Sequence, residues 1–181
     1  MTMESIVTTQ PTLDADTLTL RPLRRSDMGM IEHYASDERV ARMTTSIPHP
    51  VPPGMTEGFV TRAMAVEREE DVWAMDGTKL GGPELMGLIS LQRMDRDQSE
   101  IGYWVAPAYW NTGLASEAVE TLVRANPMQN ATIFASVFQD NPASARVLTN
   151  CGFEYIGDAE SFSVARKAQV QTWTYVLKCL S

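Results

Sequence analysis

The chain has 181 residues, 44% hydrophobic and 21% charged, with a formal net charge of -8. This is the composition of one soluble globular domain, and a chain of this size buries roughly 70% of its unfolded surface without covalent staples. The negative balance argues against nucleic acid as a partner, because a phosphate backbone is bound by clustered Lys and Arg, and leaves room for a basic peptide or amine.

Cysteine and histidine usage narrows the field further. Cys151 and Cys179 form no CxxC pair, and His33 and His49 lie far from both in the chain. No metal-ligand spacing results, and two reduced thiols in a cytoplasm are expected. The opening "MTMESIVTTQPTLDAD" has no basic stretch followed by an apolar run, so it does not read as a signal peptide. No apolar run approaches the ~18 residues that suggest a membrane span, so no membrane partner is expected.

In chain order, residues 1–15 read as a flexible arm and 16–181 as a single domain. "TLTLRPL", Thr17 to Leu23, alternates as a strand. "RRSDMGMIEHYASDERVARMT" reads as a helix capped by Ser26 or Asp27. The Pro-rich stretch "SIPHPVPPGMTEG" can hold no regular element, and "MTEGFVTRAMAVEREED" after it reads as a second helix with a solvated acidic end. Val72 to Ala106 reads as an antiparallel three-strand meander. A helix (Gly113 to Ala125), a strand (Ala131 to Phe138), a helix (Pro142 to Cys151) and two long strands complete the chain. Strand runs followed by strand-helix-strand units predict an α/β (α+β mixed) fold. Its central sheet is mixed and mostly antiparallel, of about seven strands, with helices on both faces.

The turn "WNTGLA" is the most informative segment. Leu114, Ala118 and Leu122, with Ala115, Val119 and Val123 one position later, form a wide apolar stripe. The first N–H groups of such a helix have no internal partner and carry the positive end of its dipole. Gly113 permits close backbone approach, and Leu114 and Ala115 bring no polar side chain to compete for those groups. The turn therefore suits a phosphate or pyrophosphate. It is neither a P-loop nor a G-x-G-x-x-G fingerprint. Downstream, Asn141 is a strong N-cap, Pro142 fits the first helical position and Gly152 fits a C-cap.

"EIGYWVAPAYWNTGLASEAV" followed by "ASVFQDNPASARVLTNCGF" resembles the GNAT superfamily of acyl-CoA N-acyltransferases, and more narrowly its RimJ/RimL-like branch. The acyl-CoA loop of that family, Arg/Gln-x-x-Gly-x-Gly/Ala with Trp common at the first place in this branch, is matched by Trp110-Asn111-Thr112-Gly113-Leu114-Ala115. "LTLRPLRRSD", the Pro-rich stretch, "VWAM" and "LMGLISL" agree in order, so the resemblance spans roughly residues 18–177.

The resemblance implies a GNAT fold whose sheet splays between "EIGYWVA" and "ATIFASVF". Acetyl-CoA would be the acyl donor. Its pantetheine arm would lie in the gap against backbone near Trp104, Val105 and Ala106, and its pyrophosphate on the N–H groups of Asn111, Thr112, Gly113, Leu114 and Ala115. Asn141 would bond the pantetheine arm. Attack of an amine on a thioester needs a neutral amine, a stabilised oxyanion and a protonated leaving thiolate. Backbone N–H near Val105 would serve the oxyanion, and Glu100 is the candidate base, with a solvated strand Glu as the alternative. Much of the superfamily protonates the thiolate with a Tyr, but the matching place here holds Leu148. Ser144 is the substitute donor, with helix capping as its alternative role.

The acceptor is an amine, either a protein N-terminus or a small molecule. Neutralising an α-amine at pH 7 costs about 1 kcal/mol, against about 4–5 kcal/mol for a Lys amine, so a single carboxylate base favours the α-amine. A monomer or weak homodimer fits the family. Two alternatives stand beside the acetyltransferase: a non-catalytic acyl-CoA-binding sensor, and a transferase of another acyl group.

Overall fold

The computed structural model describes residues 10–179. The expected strands are present, together with a two-residue strand ahead of them: β1 (Leu13–Asp14), β2 (Thr19–Pro22), β3 (Glu70–Asp76), β4 (Gly87–Met94), β5 (Gln98–Val105), β6 (Thr132–Phe138), β7 (Glu154–Ser163) and β8 (Ala168–Lys178). They form one sheet in the order β1-β2-β3-β4-β5-β6-β8-β7. Every neighbouring pair is antiparallel except β5 with β6. The architecture is the mixed, mostly antiparallel sheet expected. Part of the expected arm is tied down: Leu13 and Asp14 pair with β2, and Trp73 Nε1 donates to the Pro11 carbonyl at 2.8 Å. Residues 1–9 lie outside the described residues.

The sheet is covered on both faces. α4 (Leu114–Ala125) and α5 (Pro142–Asn150) pack on one side. There Leu114, Ala118, Val119, Leu122 and Leu148 are buried against Ile89, Leu91, Ile101, Ile133 and Tyr175. α1 (Met28–Ala35) and α3 (Met55–Met64) cover the other side, where Ile31, Val60 and Ala63 meet Val72, Ala74, Leu85 and Leu88. Central strand β3 is buried along nearly its whole length, as a strand covered on both faces must be. At Gly87 a Cβ would stand 2.4 Å from the Trp104 carbonyl oxygen, so only glycine lets β4 and β5 meet there.

Two expectations need correction. The long helix over residues 24–44 is interrupted: α1 ends at Ala35, Asp37 caps anew by accepting from the Arg39 N–H, and the one-turn α2 (Glu38–Ala41) follows. The acidic stretch 67–71 is not a solvated helix end. α3 stops at Met64, and Glu70 and Asp71 already belong to β3. Asp71 is buried, held by Arg68 Nε at 2.7 Å and Arg93 Nη1 at 3.0 Å. The charge pattern that suggested solvent is an ion cluster spanning β3 and β4.

Candidate active site

β5 and β6 run parallel for only three rungs, Gln98 with Thr132, Ser99 with Ile133 and Glu100 with Phe134. Beyond Glu100 they part, while β5 stays bonded to β4 as far as Val105 and β6 to β8 as far as Phe138. The sheet therefore opens into a wedge. Ladder alternation decides what faces it. The Ala106 N–H donates to the Met86 carbonyl at 2.9 Å, so Trp104 and Ala106 turn their main-chain groups to β4. Tyr103 and Val105 turn theirs to the wedge. The Val105 carbonyl accepts from Trp110 Nε1 at 2.7 Å, which leaves its N–H to point into the wedge. Of the span expected to meet a pantetheine arm, Val105 supplies the main-chain donor. The Trp104 ring lies on the α1 side, edge-on to Tyr34 at 6.3 Å.

At the mouth of the wedge the chain turns into α4. Asn111 and Gly113 both adopt positive φ, 62° and 82°. Gly113 takes the N-cap position with no side-chain cap, and the Thr112 hydroxyl bonds the Tyr109 carbonyl. Among the described residues, no acceptor serves the backbone N–H groups from Asn111 through Ser116. A left-handed residue followed by right-handed ones, as at Gly113 and the helix after it, turns successive N–H groups toward one point, where the positive end of the helix dipole also lies. Leu114, buried beneath, anchors the turn to the core.

The α5 start differs. Its N-cap Asn141 uses Oδ1 to accept from the Ser144 N–H at 3.4 Å, and Pro142 has no N–H to offer. Tyr103, on β5, reaches this turn. Its hydroxyl oxygen lies 2.7 Å from Ser144 Oγ and 3.1 Å from the Ser144 carbonyl oxygen. Burial pushes the Tyr103 phenol up to about 12, against the opposing hydrogen bond with Ser144. Leu148, one turn further along α5, is fully buried in the core.

Glu100 stands at the throat, on the last paired rung, with its side chain on the α1 side of the sheet. Cross-strand register sets Glu70, Gln92 and Glu100 in a row on that face. Its carboxyl is raised above the ordinary Glu value, first by desolvation and then by the negative charge of Glu70. The carboxylate has no hydrogen-bond or ion-pair partner among the described residues.

The other sequence candidates lie apart. His33 is exposed on α1 and lines an open cleft of about 580 Å³ with Glu32, Ser36, Thr56 and Glu57, which includes no residue of the wedge. His49, half-buried in the Pro-rich stretch, has a buried Nδ1 without a partner among the described residues. The cysteines are both unpaired, and Cys151 packs partly buried against the α4 side of the core. Among the described residues, no His, Cys, Asp and Glu gather as a metal site, and no helix is long and apolar enough to cross a membrane.

Two residues near the wedge had no signal in the linear pattern. Tyr103 reads as one more strand aromatic until the wedge brings it to Ser144. Arg166, in the β7–β8 turn, binds both oxygens of Asp140 and the Arg42 carbonyl, and lies over the Phe138 ring. With the Val164 N–H donating to the Thr45 carbonyl, it pins the segment after α2 against the hairpin and beside the α5 turn.

A splayed sheet, a bare helix start at its mouth and a carboxylate at its throat thus lie together on one sheet. Residues 17–154 match the family model of the acetyltransferase (GNAT) domain, and the chain belongs to this family of N-acetyltransferases. It is 30% identical over 156 residues to the uncharacterized N-acetyltransferase YoaA of Bacillus subtilis, covering 81% of this chain and 85% of that protein. Two solved structures share the fold. One is a spermidine N-acetyltransferase from Vibrio cholerae in complex with CoA and spermine, with a TM-score of 0.76, 18% identity and coverage of 90% and 96%. The other is RimL, a ribosomal L7/L12 α-N-protein acetyltransferase in complex with coenzyme A, with a TM-score of 0.79, 15% identity and coverage of 93% and 98%.

Proposed function

We propose that this cytoplasmic enzyme of the RimJ/RimL-like branch transfers an acetyl group from acetyl-CoA to a primary amine by direct attack within a ternary complex. The observation that carries this reading is the wedge beyond Glu100, which ends at unpartnered N–H groups from Asn111 through Ser116. The pyrophosphate sits on those groups, with Gly113 providing the turn. The pantetheine arm runs along β5 as an added strand would and meets the main chain at Tyr103 and Val105. The Val105 N–H receives the oxyanion.

Glu100 takes the proton from the attacking amine, directly or through one water. A base is best matched when its own value lies near the working pH, and both influences on Glu100 move it that way. The acceptor enters from the α1 side, between the segment after α2, which Arg166 holds at Arg42, and the face that carries Glu100, Trp104 and Phe134. A protein N-terminal α-amine or a small-molecule amine fits a site with one carboxylate base, and the acidic chain favours a cationic acceptor.

The test is thiol release from acetyl-CoA against N-terminal peptides, amino acids, polyamines and aminoglycosides. One amine class should give release well above hydrolysis, and Glu100→Gln should lose roughly 100-fold in kcat/KM while still binding acetyl-CoA. Tight binding without release for any amine would point instead to a sensor or to another acyl group.

A further inference from the structure

We propose that Tyr103 is a positioning residue for departure of the thiolate: its hydroxyl donates to Ser144 Oγ and turns the Ser144 hydrogen toward the sulfur. The inference rests on the acetyltransferase reading above and deepens its leaving-group half.

The geometry sets up a choice between two arrangements. The Tyr103 hydroxyl oxygen is 2.7 Å from Ser144 Oγ and 3.1 Å from the Ser144 carbonyl oxygen. It has one hydrogen to give. If it gives that hydrogen to the carbonyl, Ser144 donates back to the phenol oxygen and has nothing left for a ligand. If it gives it to Oγ, the Ser144 hydrogen is released for another acceptor. Negative charge on a nearby sulfur selects the second arrangement. The rest of the pair is fixed: Tyr103 is anchored in β5, and the Ser144 N–H is held by Asn141. No other described side chain bonds the Ser144 hydroxyl. Leu148, the next residue along that side of α5, is apolar and buried, so the hydroxyl pair is the polar group that this face presents.

The pair stabilises charge without giving up a proton. Passing a proton from a phenol near 12 to a thiolate whose acid lies near 8.5 is unfavourable by roughly three orders of magnitude. In the reaction the amine nitrogen bonds to the acetyl carbon, the C–S bond breaks, and its electron pair stays on sulfur. The nitrogen proton leaves through Glu100 to solvent, and sulfur takes one from solvent. Tyr103 and Ser144 end the cycle protonated as they began.

The experiment measures wild type, Tyr103→Phe, Ser144→Ala, Ser144→Thr and the Tyr103→Phe/Ser144→Ala double variant. Two donors are used with one amine: acetyl-CoA and the S-acetyl ester of 4-nitrothiophenol, whose thiolate needs little help to leave. With acetyl-CoA, Tyr103→Phe should lower kcat about tenfold with KM within about twofold, as expected for an interaction made in the transition state. The double variant should be no slower than Ser144→Ala, and Ser144→Thr should keep most of the activity. With the aryl ester, every variant should fall within about twofold of wild type. Full kcat in Tyr103→Phe, multiplied losses in the double variant, or an equal loss with the aryl ester would overturn the proposal. If Tyr103→Phe melts too low to assay, a fluorotyrosine at position 103, which keeps the ring and hydroxyl but makes it a stronger donor, decides: kcat should change with acetyl-CoA and not with the aryl ester, and no change with acetyl-CoA would overturn the proposal. No thiol release by wild type would fail the transferase reading itself, and is distinguishable because every variant would then match it.

Discussion

Around Arg21 every charge has a partner. Its guanidinium binds Asp27 through both oxygens at 2.8 and 2.9 Å, Asp76 at 2.7 Å and the Glu84 carbonyl at 2.9 Å, tying β2 and β3 to the turn before α1. At the wedge the opposite holds: the N–H groups from Asn111 through Ser116 and the Glu100 carboxylate have no partner among the described residues. Both regions belong to one sheet, and both gather polar groups. The first closes its hydrogen bonds internally because burial makes an open one costly. The second stays open, as the proposed acetyl-CoA site requires. Self-satisfaction, more than polarity, separates the structural cluster from the proposed site.

The largest effect is expected from breaking the closed cluster. Arg21→Ala leaves Asp27 and Asp76 buried without their cation, at a cost of about 3–5 kcal/mol in urea unfolding. Burial alone would raise the Asp76 carboxyl, but hydrogen bonds from Thr78 and then Arg21 outweigh it and hold it low. A lowered carboxylate contributes stability above its unfolded value and loses it as pH falls through the lowered one. In wild type, stability should therefore drop on the acid side of the carboxylate range, and less steeply in Arg21→Ala. The folded fraction of the variant should bind acetyl-CoA as wild type does.

Filling the open region comes next. Thr112 is exposed in the loop, so Thr112→Asp adds a charge where the pyrophosphate is expected and leaves the core untouched. Repulsion between the limits of water and protein surface gives ~2 kcal/mol, or about 30-fold weaker acetyl-CoA binding by calorimetry. Thr112→Val, which loses only the bond to the Tyr109 carbonyl, should stay within about threefold.

Asn141 lies between the two cases. Its Oδ1 caps α5, while its Nδ2 has no partner among the described residues. Asn141→Ala should cost about 1 kcal/mol and lower Tm by about 2–4 °C. Asn141→Asp keeps the cap and removes the donor. It should retain the melting temperature and weaken acetyl-CoA about fivefold, separating the structural use of the side chain from its use by a ligand.

How much of this was legible in the sequence follows from distance along the chain. The α4 turn, with Gly113 as its hinge, and the strands either side of the wedge show in local periodicity and capping residues, so they were readable. The α5 start was readable as a cap for the same reason. The link from Tyr103 to Ser144 crosses 41 residues and exists only because β5 and β6 part there. Arg166 reaches Arg42 across 124 residues. The 67–71 stretch misled because a run of charge looks the same in one dimension whether it faces water or, as at Asp71, closes on two arginines.

The smallest prediction concerns the carboxylate left open. Two causes raise Glu100, desolvation first and Glu70 second, and they respond differently to salt. Glu70 stands two strands away, roughly 10 Å at ordinary strand spacing. Across water that separation is worth a few tenths of a pH unit, and it is screened within a Debye length of about 8 Å at physiological salt. Desolvation by surrounding protein is not screened. At low salt, Glu70→Gln should move the acid limb of the kcat/KM profile down by a few tenths of a pH unit. In 1 M salt the two profiles should coincide, still above the ordinary carboxylate value. The sign carries into stability: a raised carboxyl gives its contribution at low pH and loses it as pH rises through the raised value, so Glu70→Gln should lessen that loss slightly at neutral pH. An acid limb indifferent to both salt and Glu70→Gln would leave desolvation as the one influence on Glu100, the proposed base.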